Sequence, residues 1–154
     1  MSHEIRTLKG YQLFNNSRFM TWELVPVVAL RPHEQTLAQR EEEMYQKISG
    51  NQFFHKPLLV DRSTMTILDG HHRHQASLRL GLIQVPAIVM DYMDDESITV
   101  KAWPPAPAES VTKTDVIRAA MTGTLMPPKS SCHTLVADIP ALEIPLEELG
   151  SSLT

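Results

Sequence analysis

Thr66-Ile67-Leu68-Asp69-Gly70-His71-His72-Arg73-His74-Gln75-Ala76 is the stretch on which the reading of this chain turns. An apolar run with β-branched side chains ends in an acid and a glycine. A cluster of histidines around one arginine follows, and then a helical pattern begins. The order is that of a strand, a tight turn and a helix. The first N–H groups of a helix lack intrahelical partners and carry partial positive charge, so such a turn is a ready anion site.

The polar residues of this turn have two readings each. Arg73 offers a planar fork suited to phosphate oxygens, and its place in the first helical turn favours that over a surface ion pair. Asp69 either caps the turn or, beside the glycine and histidines, binds Mg²⁺ or handles a proton. His71, His72 and His74 add donors and acceptors that titrate near neutral pH. His71 and His74 have the i, i+3 spacing of two metal ligands, but no cysteine or second histidine pair completes a transition-metal set.

The totals fit one domain with a real core: 154 residues, of which 42% are hydrophobic. No apolar run approaches the length of a membrane span, and Met1-Ser2-His3-Glu4-Ile5-Arg6 lacks the apolar core of a signal peptide. The lone cysteine, Cys132, suits a reducing cytoplasm and reads as a small filler. A formal charge of −4 argues against a protein whose main task is to grip a nucleic-acid backbone.

Outward from the turn, residues 1–21 have no clear period and read as an irregular arm. Leu24 to Leu30 reads as a strand, Arg31-Pro32-His33-Glu34 as a turn, and residues 36–49 as a helix stopped by Gly50-Asn51, with Glu41 to Glu43 on its solvated face. Pro57 to Asp61 and Met65 to Leu68 read as short strands joined by a hairpin-length turn. The helix after Gly70 places Ala76, Leu80 and Ile83 on one face and ends at Gly81. Val85 to Tyr92 and Ile98 to Trp103 are strands. Thr114 reads as the cap of a helix with Val116, Ala119 and Ala120 on its apolar face and Gly123 at its end. Lys129-Ser130-Ser131-Cys132-His133 is a polar cluster after a Pro127-Pro128 break, and Leu135 to Ile144 is strand-like but interrupted by Pro140. Mixed hairpins and helices predict an α+β fold with a small mixed sheet flanked by helices.

Gly70-His71-His72-Arg73-His74-Gln75-Ala76 fits the Gly-x-x-Arg-x-x-Ala pattern of the ParB N-terminal/sulfiredoxin-like superfamily, in which this turn holds nucleotide phosphates. Within that superfamily the chain most resembles the free L-serine kinases. Leu30-Arg31-Pro32-His33-Glu34 resembles the segment carrying their catalytic glutamate. Pro57 to Asp61 and Ile67 to Arg73 resemble their central hairpin and phosphate turn. Val100-Lys101-Ala102-Trp103 resembles the strand bearing a substrate-site tryptophan. Pro127-Pro128-Lys129-Ser130-Ser131-Cys132-His133 resembles the Pro-Pro-Lys-Thr-Thr-x-His segment that holds the amino acid. The resemblance covers residues 22–150, taken as a single kinase domain. Two departures stand out: the interval between the tryptophan strand and the Pro-Pro-Lys segment is short and proline-rich, and serines replace the threonines.

The resemblance implies transfer of a phosphoryl group from ATP or ADP to the hydroxyl of free L-serine, giving O-phospho-L-serine. Glu34 would be the base, since a serine hydroxyl is a poor nucleophile at neutral pH. Gly70, His71, His72 and Arg73 would hold the nucleotide, Asp69 would act catalytically and bind Mg²⁺, and Trp103, Lys129, Ser130, Ser131 and His133 would hold serine. The rival is a ParB-like nucleotide-binding switch or DNA-associated regulator, which would need a basic helix-turn-helix after the phosphate domain. A sulfiredoxin-like reductase is a poorer fit, because His71 stands where its cysteine nucleophile would be.

Overall fold

The computed structural model describes residues 6–8, 11–14 and 17–151. The chain opens with three short antiparallel strands, β1 (Arg6–Leu8), β2 (Tyr11–Phe14) and β3 (Ser17–Met20), where an irregular arm was expected. Pairing between neighbouring strands, not side-chain periodicity, makes this meander, so the sequence pattern carries no trace of it.

β4 (Glu23–Pro26) is followed by a short 3-10 turn over Val27–Ala29, so the expected strand to Leu30 stops early. Pro26 ends the pairing with β8, and Leu30 N–H then turns back to Val27 O at 3.2 Å. α1 runs over Ala38–Asn51. Gly50 and Asn51 are its last helical residues and not its stop; Gln52, at φ 60°, closes it by donating to Ile48 O at 2.9 Å. β5 (Phe53–Phe54), β6 (Leu58–Asp61) and β7 (Ile67–Asp69) follow, then α2 (His71–Arg79) and β8 (Gln84–Met90). Ile83 lies beyond the end of α2 and is exposed, so it is not part of that helix's buried face.

β9 (Ile98–Ala102) leads to α3 (Lys113–Thr122). The cap of α3 is Thr112, two residues before the expected Thr114: its hydroxyl accepts from Asp115 N–H while the Asp115 carboxylate accepts from Thr112 N–H. Val116, Ala119 and Ala120 are buried, and Gly123 ends the helix at φ 76°. β10 (Ser131–Leu135) pairs antiparallel with β9, so the polar 129–133 cluster is strand from Ser131 onward and not a loop. β11 (Ile144–Pro145) pairs with β5.

The central sheet has the order β4-β8-β6-β7, with β6 and β8 parallel and the outer pairs antiparallel. It is covered on both faces, and the alternation of its side chains sorts them into two cores. Leu58, Val60, Ile67, Val85 and Ala87 face Ile48 of α1, Ala76 of α2 and Leu149. Leu59, Leu68, Ile88 and Met90 face Tyr92, Ile98 and Val116. The architecture is α+β, with small sheets flanked by helices. The β7–α2 junction lies where the two layers meet, and this places the polar turn at the mouth of a cavity.

Candidate functional site

Gly70 sets the geometry of that turn. It sits at φ 108°, and a Cβ built on it would come within 2.8 Å of Leu58 Cγ. Only glycine takes this conformation and this approach without strain. The chain therefore leaves β7 and enters α2 directly, and the first turn of α2 borders the cavity.

The side chains of the turn bind protein. Arg73, only 9% exposed, donates through Nη1 to Lys56 O at 2.9 Å and to Pro57 O at 2.6 Å, and its Nη2 lies 3.5 Å from Asp69 Oδ2. The expected phosphate fork is thus largely committed to the loop before β6; it braces the turn. Burial lowers its pKa, opposed by the Asp69 charge. His71 Nε2 accepts from His33 N–H at 3.2 Å, and His72 Nε2 accepts from Leu37 N–H at 3.2 Å. The two imidazoles clasp the 33–37 segment through Nε2 while bordering the cavity where nucleotide contact is expected. Burial, followed by repulsion from His33, holds His71 well below the usual histidine range, and burial with the Arg40 charge lowers His72. Both rings are therefore neutral acceptors at neutral pH.

The 31–35 segment is stitched at both ends. Arg31 exchanges main-chain bonds with the β7 hairpin, accepting from Ile67 N–H at 2.8 Å and donating to Met65 O at 2.9 Å. Beyond it, Met126 N–H donates to His33 O and Gln35 N–H to Met126 O, each at 2.8 Å. Between them Glu34 turns its carboxylate to the start of β10. Its Oε1 accepts from Ser130 N–H at 3.1 Å, Ser131 N–H at 3.0 Å and Ser131 Oγ at 3.0 Å. Two successive main-chain N–H groups and a hydroxyl thus fix one carboxylate oxygen, which orients the other.

Behind this carboxylate stands His33, fully buried. Its Nδ1 donates to Ile67 O at 2.6 Å, and its Nε2 lies 2.9 Å from Ser131 Oγ. Burial lowers its pKa, with the Ile67 carbonyl pulling the other way. His133 Nε2 pairs with Tyr92 Oη at 2.9 Å. Burial, the neighbouring His33 ring and the Lys113 charge hold His133 down at about 3, and burial with the Asp61 charge pushes Tyr92 up. Trp103, just past β9 and half exposed, donates its indole N–H to Ser131 O at 3.1 Å.

Most of these groups line one cavity of about 480 Å³, the size of a small-ligand site, with His33 and Tyr92 behind its wall. Glu34, Asp69, Gly70, His71, His72, Arg73, Trp103, Ser131 and His133 all border it. Lys129 and Ser130 do not: Lys129 is exposed at φ 58°, and Ser130 acts through its N–H on Glu34. The opposite wall is apolar, from Met44 and Ile48 of α1 and Phe54 of β5, with Lys47 and Lys56 at its edge. Sequence reasoning missed His33, Tyr92 and this wall. Met44 and Ile48 lie four positions apart on α1, a spacing that marks one helix face but not the cavity it borders.

Asp69 borders the cavity with half of its side chain exposed. Among the described residues no three histidine, cysteine, aspartate or glutamate side chains converge as a metal cage. A single open carboxylate fits Mg²⁺, which takes most of its oxygens from phosphates and water.

No protein-family model matches this chain. A ParB-like protein of Sulfolobus acidocaldarius is 41% identical over 81 residues, 53% of this chain and 40% of that protein. An ATP-dependent L-serine kinase of Staphylothermus marinus is 35% identical over 94 residues, covering 58% of this chain and 37% of the kinase. An ADP-dependent L-serine kinase of Thermococcus kodakarensis is 32% identical over 81 residues, covering 50% and 33%. The matches thus span between a third and two-fifths of each relative's length. Among solved structures, a free serine kinase in complex with AMP has a TM-score of 0.76 at 17% identity, covering 97% of this chain and 98% of that one. The fold is that of the free serine kinases.

Proposed function

We propose that this protein transfers a phosphoryl group from ATP or ADP to the hydroxyl of free L-serine, giving O-phospho-L-serine. The observation that carries the reading is the Glu34 carboxylate, fixed by the N–H groups of Ser130 and Ser131 at the wall of a cavity that also receives the N-terminus of α2. A base and an anion-binding helix end facing one space are what transfer to a weak hydroxyl nucleophile requires. The relatives named L-serine kinases support the same reading.

The first N–H groups of α2 hold the phosphates, with Lys47 and Lys56 supplying charge. The apolar wall of Met44, Ile48 and Phe54 takes the base or sugar. Asp69 would hold Mg²⁺, which when bound neutralises phosphate charge. Glu34 orients the acceptor hydroxyl and takes its proton as the oxygen attacks phosphorus. Trp103, Ser131 and His133 border the acceptor's side of the cavity, with Lys129 and Ser130 just behind. Residues 22–150 act as one unit in this reading, and the protein works on small molecules in the cytoplasm, with no nucleic-acid partner.

The test is incubation with Mg²⁺, ATP or ADP, and a panel of hydroxy-amino acids, with mass spectrometry of the products. Phosphoserine is expected. A ParB-like nucleotide switch, favoured by the 41% match, would bind nucleotide and leave every acceptor unmodified. Ser131→Ala and His133→Ala are expected to raise KM for serine and not for nucleotide. The reverse would assign the β10 segment to the nucleotide.

A further inference from the structure

Ser131 has one hydroxyl hydrogen and two acceptors in reach. Its Oγ lies 3.0 Å from Glu34 Oε1 and 2.9 Å from His33 Nε2. The tautomer of His33 is set from behind: the Ile67 carbonyl, 2.6 Å from Nδ1, can only accept, so Nδ1 carries the hydrogen and the neutral ring presents Nε2 as an acceptor. The two gaps, Nε2 to Oγ and Oγ to Oε1, hold a single hydrogen between them.

We infer that His33 is a positioning residue for Glu34 that works through Ser131: by competing for the Ser131 hydroxyl hydrogen it keeps Glu34 a stronger base, and it takes that hydrogen fully when Glu34 gains the acceptor's proton. The inference rests on the kinase reading. In the step it serves, the acceptor O–H breaks as a carboxyl O–H forms on Glu34. The acceptor oxygen bonds to phosphorus, and the bond from phosphorus to the donor's bridging oxygen breaks, its electrons leaving on the nucleotide. A neutral carboxyl accepts more weakly than an imidazole nitrogen, so the Ser131 hydrogen swings to His33, and Ser131 is bonded before and after.

The groups facing His33 allow this. The His71 ring of α2 lies edge-on at 4.5 Å between centroids, and that of His133 of β10 at 5.9 Å. Glu34 and, from β7, Asp69 are the carboxylates whose charge reaches it. Burial outweighs both and keeps the ring neutral, ready to accept.

The test pairs His33→Asn with Ser131→Ala. Asparagine keeps a donor for Ile67 O and removes the acceptor at the Nε2 position. With no competitor, Ser131 then donates only to the Glu34 carboxylate and lowers its basicity. His33→Asn is expected to lower kcat about five- to tenfold, the size of one hydrogen bond's net contribution. KM for nucleotide should be unchanged, and the acid limb of the pH profile should move down. In a Ser131→Ala background the same substitution should move neither kcat nor the limb further. His33→Gln, which restores an acceptor near the Nε2 position, should recover part of the rate. An unchanged kcat in folded His33→Asn, or a full additional loss in the double variant, overturns the inference. Independently of folding variants, ¹⁵N NMR of labelled histidines in the wild-type protein should find one Nδ1–H ring whose Nε2 shift moves on Ser131→Ala. An Nε2–H tautomer at His33 would overturn it too. A wild-type protein that phosphorylates nothing while its NMR signature stands would instead defeat the kinase reading.

Discussion

The turn at 69–73 and the junction of Glu34 with Ser130 and Ser131 are both polar, and they use their polar groups in opposite ways. At the turn, Arg73, His71 and His72 each commit side-chain nitrogens to main-chain carbonyls and N–H groups. At the junction it is the main chain that serves the side chain, with the N–H groups of Ser130 and Ser131, at the start of β10, fixing one carboxylate. The dense motif spends side chains on bracing the fold, and the sparse one sets a fixed carboxylate at the cavity. A crowded polar turn has to satisfy its own groups before it can bind anything, because a buried donor or acceptor left alone costs about 1–3 kcal/mol. A lone glutamate on a stitched loop has no such competition.

The largest expected effect strikes the junction. Glu34→Gln should keep nucleotide affinity and lose about 10² to 10⁴ in turnover, the usual worth of a general base. Near-native kcat would move the chemistry back to the turn. Next comes Arg73→Ala, which should destabilise the fold by about 2–4 kcal/mol in urea titration, since it strands the carbonyls of Lys56 and Pro57. If the folded variant instead kept its stability and lost nucleotide affinity, Arg73 would be a ligand group after all.

Acid should act on both regions together. His133 is held at about 3 and His71 well below its usual value, both chiefly by burial. Such rings stay neutral in the fold while the unfolded chain takes up protons below about pH 6.5. Stability is therefore full above that pH and is lost as pH falls toward 3, at up to about 1.4 kcal/mol per pH unit for each histidine. Urea midpoints from pH 7 to 4 check the slope, which His133→Asn should flatten. The smallest effect is expected from His72→Ala, which frees Leu37 N–H. It should cost about 0.5–1.5 kcal/mol of stability. A few-fold loss of kcat through a looser Glu34 segment should accompany it, with nucleotide affinity intact. A large loss of affinity would return His72 to the nucleotide.

The strand–Gly70–helix order was legible because it rests on local chemistry: β-branched residues, a positive φ that only glycine takes easily, and a helical period afterwards. The strands β6 and β8 and the buried face of α3 were legible for the same reason. The N-terminal meander was not, since pairing with neighbours makes it. Thr112 was passed over for Thr114 because both are threonines ahead of the same apolar face; only the Asp115 capping box separates them. At the site, a resemblance supplied Glu34, whose residue type and spacing alone mark an ordinary charge. Nothing local marks His33: its partners are Ile67, His71 and Ser131, none nearer than 34 positions along the chain. Arg73 stood out in the sequence, but a sequence reveals a guanidinium and not the two carbonyls that it also braces.

The contact between Glu34 and β10 joins residues 96 and 97 positions apart. Closing so long a loop costs more chain entropy than forming hairpins and helices from nearer neighbours. The placement of Glu34 thus depends on a distant segment that also supplies part of the cavity wall, whereas the 69–73 turn is built by adjacent residues. In the proposed kinase, competence for phosphoryl transfer would be the property most exposed to any loosening of residues 130 and 131.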